Sequence, residues 1–248
     1  MKPYQRIPIL ECGEPLLPIL ESEFASEFAL EQPHPYIALG APYGDKSPYF
    51  LRQGVLERLH QAQTVLQTLK PGWKVQIFDA YRPIAVQQFM VDYTFNATLA
   101  ERGLTIAQLT EAEQAKIWDE VYQFWATPSF DPATPPPHST GAAIDVTLVD
   151  EAGQTIEMGS AIDELSPRSY PDHFADSAIW HPLNPEVTSE AAQNFHTNRQ
   201  LLQQVMQSAG FLQHPNEWWH FSWGDQFWAW QMRQIDSGRS WTARYGRA

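Results

Sequence analysis

The sequence predicts an α+β fold, a single domain in which helices pack on a small, mainly antiparallel sheet. Apolar residues recur at helical spacing over several segments longer than ten residues. Strand-like runs alternate with these helices but are few and short, too few for a doubly wound sheet. At 248 residues the chain is long enough to bury a substantial core.

The first 47 residues are proline-rich, without lasting periodicity, and read as an N-terminal extension of loops and short strands. A helix is expected from Ser47-Pro48, because Leu51, Val55, Leu59, Ala62, Leu66 and Leu69 form one apolar stripe, and Pro71-Gly72 ends it. Trp73 to Phe78 alternates apolar and polar residues as a half-buried strand does, and runs into Asp79-Ala80-Tyr81-Arg82-Pro83. Pro83 fits the first turn of a second helix reaching Thr94 or beyond. Thr110, with Glu113 three residues on, is a capping box for a helix over 111–125.

The proline-rich loop 127–137 leads to a strand over 143–148 and a turn at 150–153. Thr188 introduces a long helix with Phe195, Leu202, Val205 and Ala209 as its buried face and Gly210 as its C-cap. The aromatic segment 217–223 reads as a final core strand. The main domain is therefore placed at 48–223, and 224–248 is left as a C-terminal helix or tail.

Composition narrows the function. The formal net charge of -13 repels phosphate backbones, so no nucleic-acid partner is expected. Pro and Glu interrupt every apolar run of the N-terminal segment, which leaves no signal-peptide core and no membrane span. A single cysteine, Cys12, excludes an intrachain disulfide. These features point to a soluble, cytoplasmic protein with no membrane partner; they say nothing of oligomeric state.

Two segments carry chemistry. In His138-Ser-Thr-Gly-Ala-Ala-Ile-Asp145, Gly141 permits a tight turn, so a loop histidine and a strand aspartate can converge. In Glu217-Trp-Trp-His220 an imidazole follows a carboxylate by three residues. Two histidines and a carboxylate form a ligand set that zinc uses in catalytic sites, although iron or cobalt also accept it. Glu217 has the reach to act as general base, and Arg82, at a strand end, can face a developing oxyanion.

Together with Asp79-Ala80-Tyr81-Arg82-Pro83, these segments resemble the zinc D-Ala-D-Ala dipeptidases of the vancomycin-resistance type. Their pattern is H-x6-D followed later by E-x-W-H. The similarity runs in order from about Phe50 to Phe221 and includes Met158-Gly-Ser-Ala-Ile-Asp163 and Asn198-Arg199. It implies a hedgehog-like fold with one zinc ion per chain on His138, Asp145 and His220. It also implies Glu217 as base, Arg82 at the transition state, and Asp163 on the free ammonium of a small D-amino-acid dipeptide. A cytoplasmic dipeptidase splitting D-Ala-D-Ala follows. The alternatives are a D,D-carboxypeptidase of the same metal family, which needs no ammonium binder, and a non-catalytic zinc or peptide-binding module. Two positions depart from the family. Pro136 stands where a serine near the substrate carboxylate is usual, and Thr140 where a basic residue often occurs.

Overall fold

The computed structural model describes residues 2–248. Strands β1 (Leu16–Pro18), β2 (Ala29–Leu30) and β3 (Phe50–Arg52) and the single turn α1 (Pro35–Ala38) precede the main helices. Then come α2 (Gln53–Leu69), β4 (Lys74–Asp79), α3 (Ile84–Glu101), α4 (Glu111–Phe124) and β5 (Ala143–Val149). The chain closes with α5 (Ser177–Trp180), α6 (Ser189–Ser208), β6 (Leu212–Gln213), β7 (His220–Ser222) and α7 (Gln226–Ile235). The main sheet has the order β2-β4-β5-β7-β6, and every pairing is antiparallel except β2 with β4. This is the α+β architecture expected, with a mainly antiparallel sheet.

Alternation along β5 separates the two faces of the sheet. Ile144, Val146 and Leu148 join the main core with Leu59 and Leu66 of α2 and Leu202 and Val205 of α6. Asp145 and Thr147 point to the opposite face, as period-two geometry requires. A bulge in β4 is needed to bring its end into line. Val75 and Ile77 are core residues opposite Leu148 and Val146, yet Asp79 pairs with Asp145, because the register shifts between Ile77 and Asp79. One unpaired residue turns the following side chain to the other face, and here that side chain is Asp79.

The segment before α2 departs from expectation. Residues 50–52 are strand β3, paired with β1, and the helix begins at Gln53. Leu51 satisfies a helical stripe equally well, but the backbone N–H of Arg52 donates to the Gly141 carbonyl at 2.9 Å, an extended-chain bond. Leu69, the last residue of the supposed stripe, is exposed. Pro83 is the residue before the first turn of α3 rather than within it, and β7 is shorter than the aromatic segment suggested. The capping box at Thr110 and the cap at Thr188 form as read: each hydroxyl accepts a backbone N–H, at 3.3 and 3.1 Å.

Residues of the N-terminal segment supply β1 and β2, and α3 and α4 make a second core around Met90, Phe95 and Val121. A third small core forms between α7 and residues Ile7 and Ala243.

Gly141 has φ +71, and a Cβ there would lie 2.4 Å from Leu16 Cδ1. Gly153 has φ +78 but open space around it. Gly141→Ala is therefore expected to cost about 1 kcal/mol more than Gly153→Ala in urea unfolding, since both share the backbone strain and only the former must also displace the end of the Leu16 side chain.

Candidate active site

The sheet register builds the centre of the site. Asp79, Asp145 and His220 lie in one row across β4, β5 and β7, each opposite the next. His138 reaches the same point from the turn before β5. Its Nδ1 donates to the Ala80 carbonyl at 2.7 Å, which leaves the Nε2 lone pair facing inward. Nε2 sits 3.1 Å from His220 Nδ1 and 3.2 Å from Asp145 Oδ2, and His220 Nδ1 is 3.0 Å from Asp145 Oδ1. Potential ligand atoms of the three buried residues all lie within 4.8 Å of one another.

This donor set fits a divalent cation. Two imidazoles and a carboxylate converge through acceptor atoms, and His138 is held in the tautomer a metal requires. Burial alone would raise the Asp145 pKa, but His138 and His220 outweigh it and hold the carboxyl below its usual range. Burial lowers the His220 pKa, so its neutral, ligating form is favoured. The other ring nitrogen of His220, Nε2, finds no protein partner among the described residues.

Glu217 approaches the triad from one side. Its Oε2 is 3.8 Å from His220 Nδ1 and its Oε1 3.5 Å from His214 Nδ1. Burial, with the charges of Asp145 and Asp163, pushes its pKa well above the ordinary value. Burial and the nearby His220 depress the His214 pKa, which favours its neutral form beside Glu217.

Arg82 is buried and held by several partners. Nε donates to Asp79 at 2.9 Å, one terminal nitrogen to Gln87 at 3.0 Å, and the other to Tyr36 and Asp145, each at 3.2 Å. The guanidinium also lies 5.0 Å from the ring centres of Tyr36 and Trp125. Asp79 additionally accepts from His34 and Tyr43, both at 3.1 Å. Burial opposes the charge on Asp79, yet Arg82 and His34 keep its pKa below the usual carboxylate range. Arg82 thus holds Asp145 in place, and only its edge can face a reacting group.

Asp163 borders the same cleft on a loop. It adopts φ +65, a left-handed conformation that aspartate tolerates better than most residues. Tyr36 donates to its Oδ2 at 2.7 Å. Burial and the charge of Asp145 push its pKa up to about 7. The loop is fixed from α6. Arg199 donates to the Met158 and Tyr170 carbonyls at 2.7 and 2.8 Å, and Trp218 Nε1 donates to Ser160 Oγ at 2.8 Å.

All six residues singled out in the sequence, His138, Asp145, His220, Glu217, Arg82 and Asp163, line this one cleft, which encloses about 570 Å³ of atom-free space, mouth included. Sequence reasoning missed Tyr36, His214, Lys2 and Tyr4, and no motif could have flagged them. His173 and His181 do not line the cleft. The former bonds Asn184 at 3.0 Å and the latter is exposed.

A cleft with a buried two-histidine, one-carboxylate cluster facing a further glutamate defines a metallopeptidase-type site. The comparisons identify the class directly: a model of the D-ala-D-ala dipeptidase family matches residues 30–237, and the chain belongs to that family of peptidases. It is 50% identical over 247 residues to the D-alanyl-D-alanine dipeptidase of Synechocystis sp., covering 100% of this chain and 97% of the relative. The Escherichia coli enzyme of the same name is 42% identical over 84 residues, 34% of this chain and 36% of its own length. That of Enterococcus faecalis is 27% identical over 152 residues, 60% of this chain and 62% of the relative.

Replacing His138 with Ala is expected to lower the metal content of the purified protein at least about tenfold by elemental analysis. His214→Ala, which changes no member of the triad, should retain stoichiometric metal. Equal loss in both variants would place the ion elsewhere.

Proposed function

We propose that the chain is a zinc-dependent dipeptidase that hydrolyses D-Ala-D-Ala to two D-alanines. The observation that carries this reading is the placement of Glu217 and Asp163 around one metal-ligand cluster in a single cleft. Full-length similarity to a relative named D-alanyl-D-alanine dipeptidase supports the same substrate. His138, Asp145 and His220 would hold one Zn2+. The ion supplies Lewis acidity at the scissile carbonyl and makes water acidic enough to be deprotonated near neutrality.

The chain's own residues account for the rest. Glu217 takes a proton from the attacking water and returns it to the departing amine. Burial and the negative charges of Asp145 and Asp163 raise its pKa, which suits it to hold that proton until the amine departs. Arg82 fixes Asp145 through one nitrogen and presents its edge to the developing oxyanion. Asp163, steadied by Tyr36, pairs with the substrate ammonium and so selects a peptide with a free amino end one residue from the scissile bond. That requirement disfavours the D,D-carboxypeptidase alternative, whose donors carry no ammonium at this position. No described helix is long and apolar enough to cross a membrane; a cytoplasmic site of action is part of the proposal.

Zinc-loaded protein should release D-alanine from D-Ala-D-Ala and leave an N-acylated D-Ala-D-Ala tripeptide intact; the opposite preference would overturn the reading. Glu217→Ala should lower kcat by about a thousandfold or more while the metal stays bound.

The pH dependence has a defined sign. Asp163 binds an ammonium only when ionised, and its pKa is raised, so KM should climb as pH falls through its titration and level off above it. Asp163→Asn should show a high KM that no longer follows this limb.

A further inference from the structure

The cleft is lined by three carboxylates, Asp145, Asp163 and Glu217, and by two cations, Arg82 and Lys2. The charge of Arg82 is already committed, since it is ion-paired with Asp79 at 2.8 Å and with Asp145 at 3.2 Å. Lys2 has no carboxylate within salt-bridge distance among the described residues. Its ammonium donates only to the backbone carbonyl of Tyr122, at 3.1 Å, at the end of α4. The segment that carries it is fastened down. Gln226 of α7 donates to the Ile7 carbonyl at 2.7 Å, Tyr4 packs edge-on against Phe227 at 5.3 Å, and the Lys2 backbone N–H donates to Gln5 at 2.8 Å.

The neighbours of the two ends differ. Asp163 lies with Tyr36 and acts on Arg82, whereas the charge of Lys2 acts on Glu217 and His214. Glu217 feels both charges, and all three residues line the one cleft. A zwitterionic dipeptide carries an ammonium and a carboxylate, with the scissile amide between them. Pro136, beside the metal turn, has no hydroxyl to offer the carboxylate.

We propose that Lys2 binds the C-terminal carboxylate of the substrate, so that the N-terminal segment completes the specificity pocket. The proposal rests on the dipeptidase reading above, with Asp163 at the ammonium. Without Lys2, the one other cation lining the cleft among the described residues is Arg82, which is already paired with Asp79 and Asp145. With Lys2, one charge-assisted contact at the mouth fixes the distance from carboxylate to scissile bond.

The test uses the metal-loaded full-length protein and a ketomethylene isostere of D-Ala-D-Ala, which cannot be hydrolysed, as the free acid and as the C-terminal amide. Lys2→Met is expected to weaken binding of the acid about tenfold and leave the amide unchanged, and Lys2→Arg to restore the acid to within about threefold of wild type. Unfolding midpoints of both variants should match the wild type. Unchanged binding of the acid by Lys2→Met, or equal weakening of acid and amide, would overturn the assignment. Hydrolysis of D-Ala-D-Ala by the wild type is scored separately. Its absence with the Lys2 effect intact would count against the dipeptidase reading alone.

Discussion

The arrangement on which everything else depends is the row Asp79–Asp145–His220 across three neighbouring strands. Side chains alternate faces along a strand, so a slip of one residue between β5 and β7 would turn His220 into the core and Phe221 into the cleft. The register is therefore held by the apolar residues on the other face. Ile144, Val146 and Phe221 are fully buried against α2 and α6, and their burial pins the polar row opposite them. The core specifies the chemistry without touching it.

The same row concentrates charge where water is scarce. Two buried carboxylates side by side would repel strongly, and one guanidinium between them makes the pairing tolerable. His34, Tyr43 and Tyr36, all ahead of β3, add further hydrogen bonds, and Gln87 of α3 accepts another from Arg82. Such a network is a poor way to gain stability, because an apolar cluster of equal size would spare the desolvation of ions. Its value lies in orientation: Arg82 holds one oxygen of Asp145 so that the other groups meet at a fixed point.

Much of this was legible in the sequence. The long helices announced themselves by stripes and caps, as at Thr110 and Thr188, because caps and periodicity are local. The triad, Glu217, Arg82 and Asp163 were legible as motifs and through resemblance, and the structure gathers them in one cleft. Leu51 misled because one apolar residue satisfies both a helical and an extended pattern, and only the distant partner Gly141 decides between them. Tyr36, His214 and Lys2 were invisible for the same reason. His214 and Lys2 line the cleft and Tyr36 bonds Asp163 and Arg82, each from a segment whose own pattern is irregular, so its place is set by long-range packing. The bulge that re-aims Asp79 left no mark in the alternation of residues 73–78 either.

The loop that carries Asp163 is braced from α6 by Arg199 and from Trp218 through Ser160, whereas the proposed metal ligands belong to β5, β7 and the turn before β5. In the proposed enzyme, the device that measures substrate length thus hangs largely on α6 and meets the device that breaks the bond at Trp218, between Glu217 and His220. Changes confined to residues 158–170 could lengthen or shorten the ruler while leaving the blade untouched. A family built this way can diversify its diet by redrawing a single loop, with the hydrolytic apparatus carried forward unaltered.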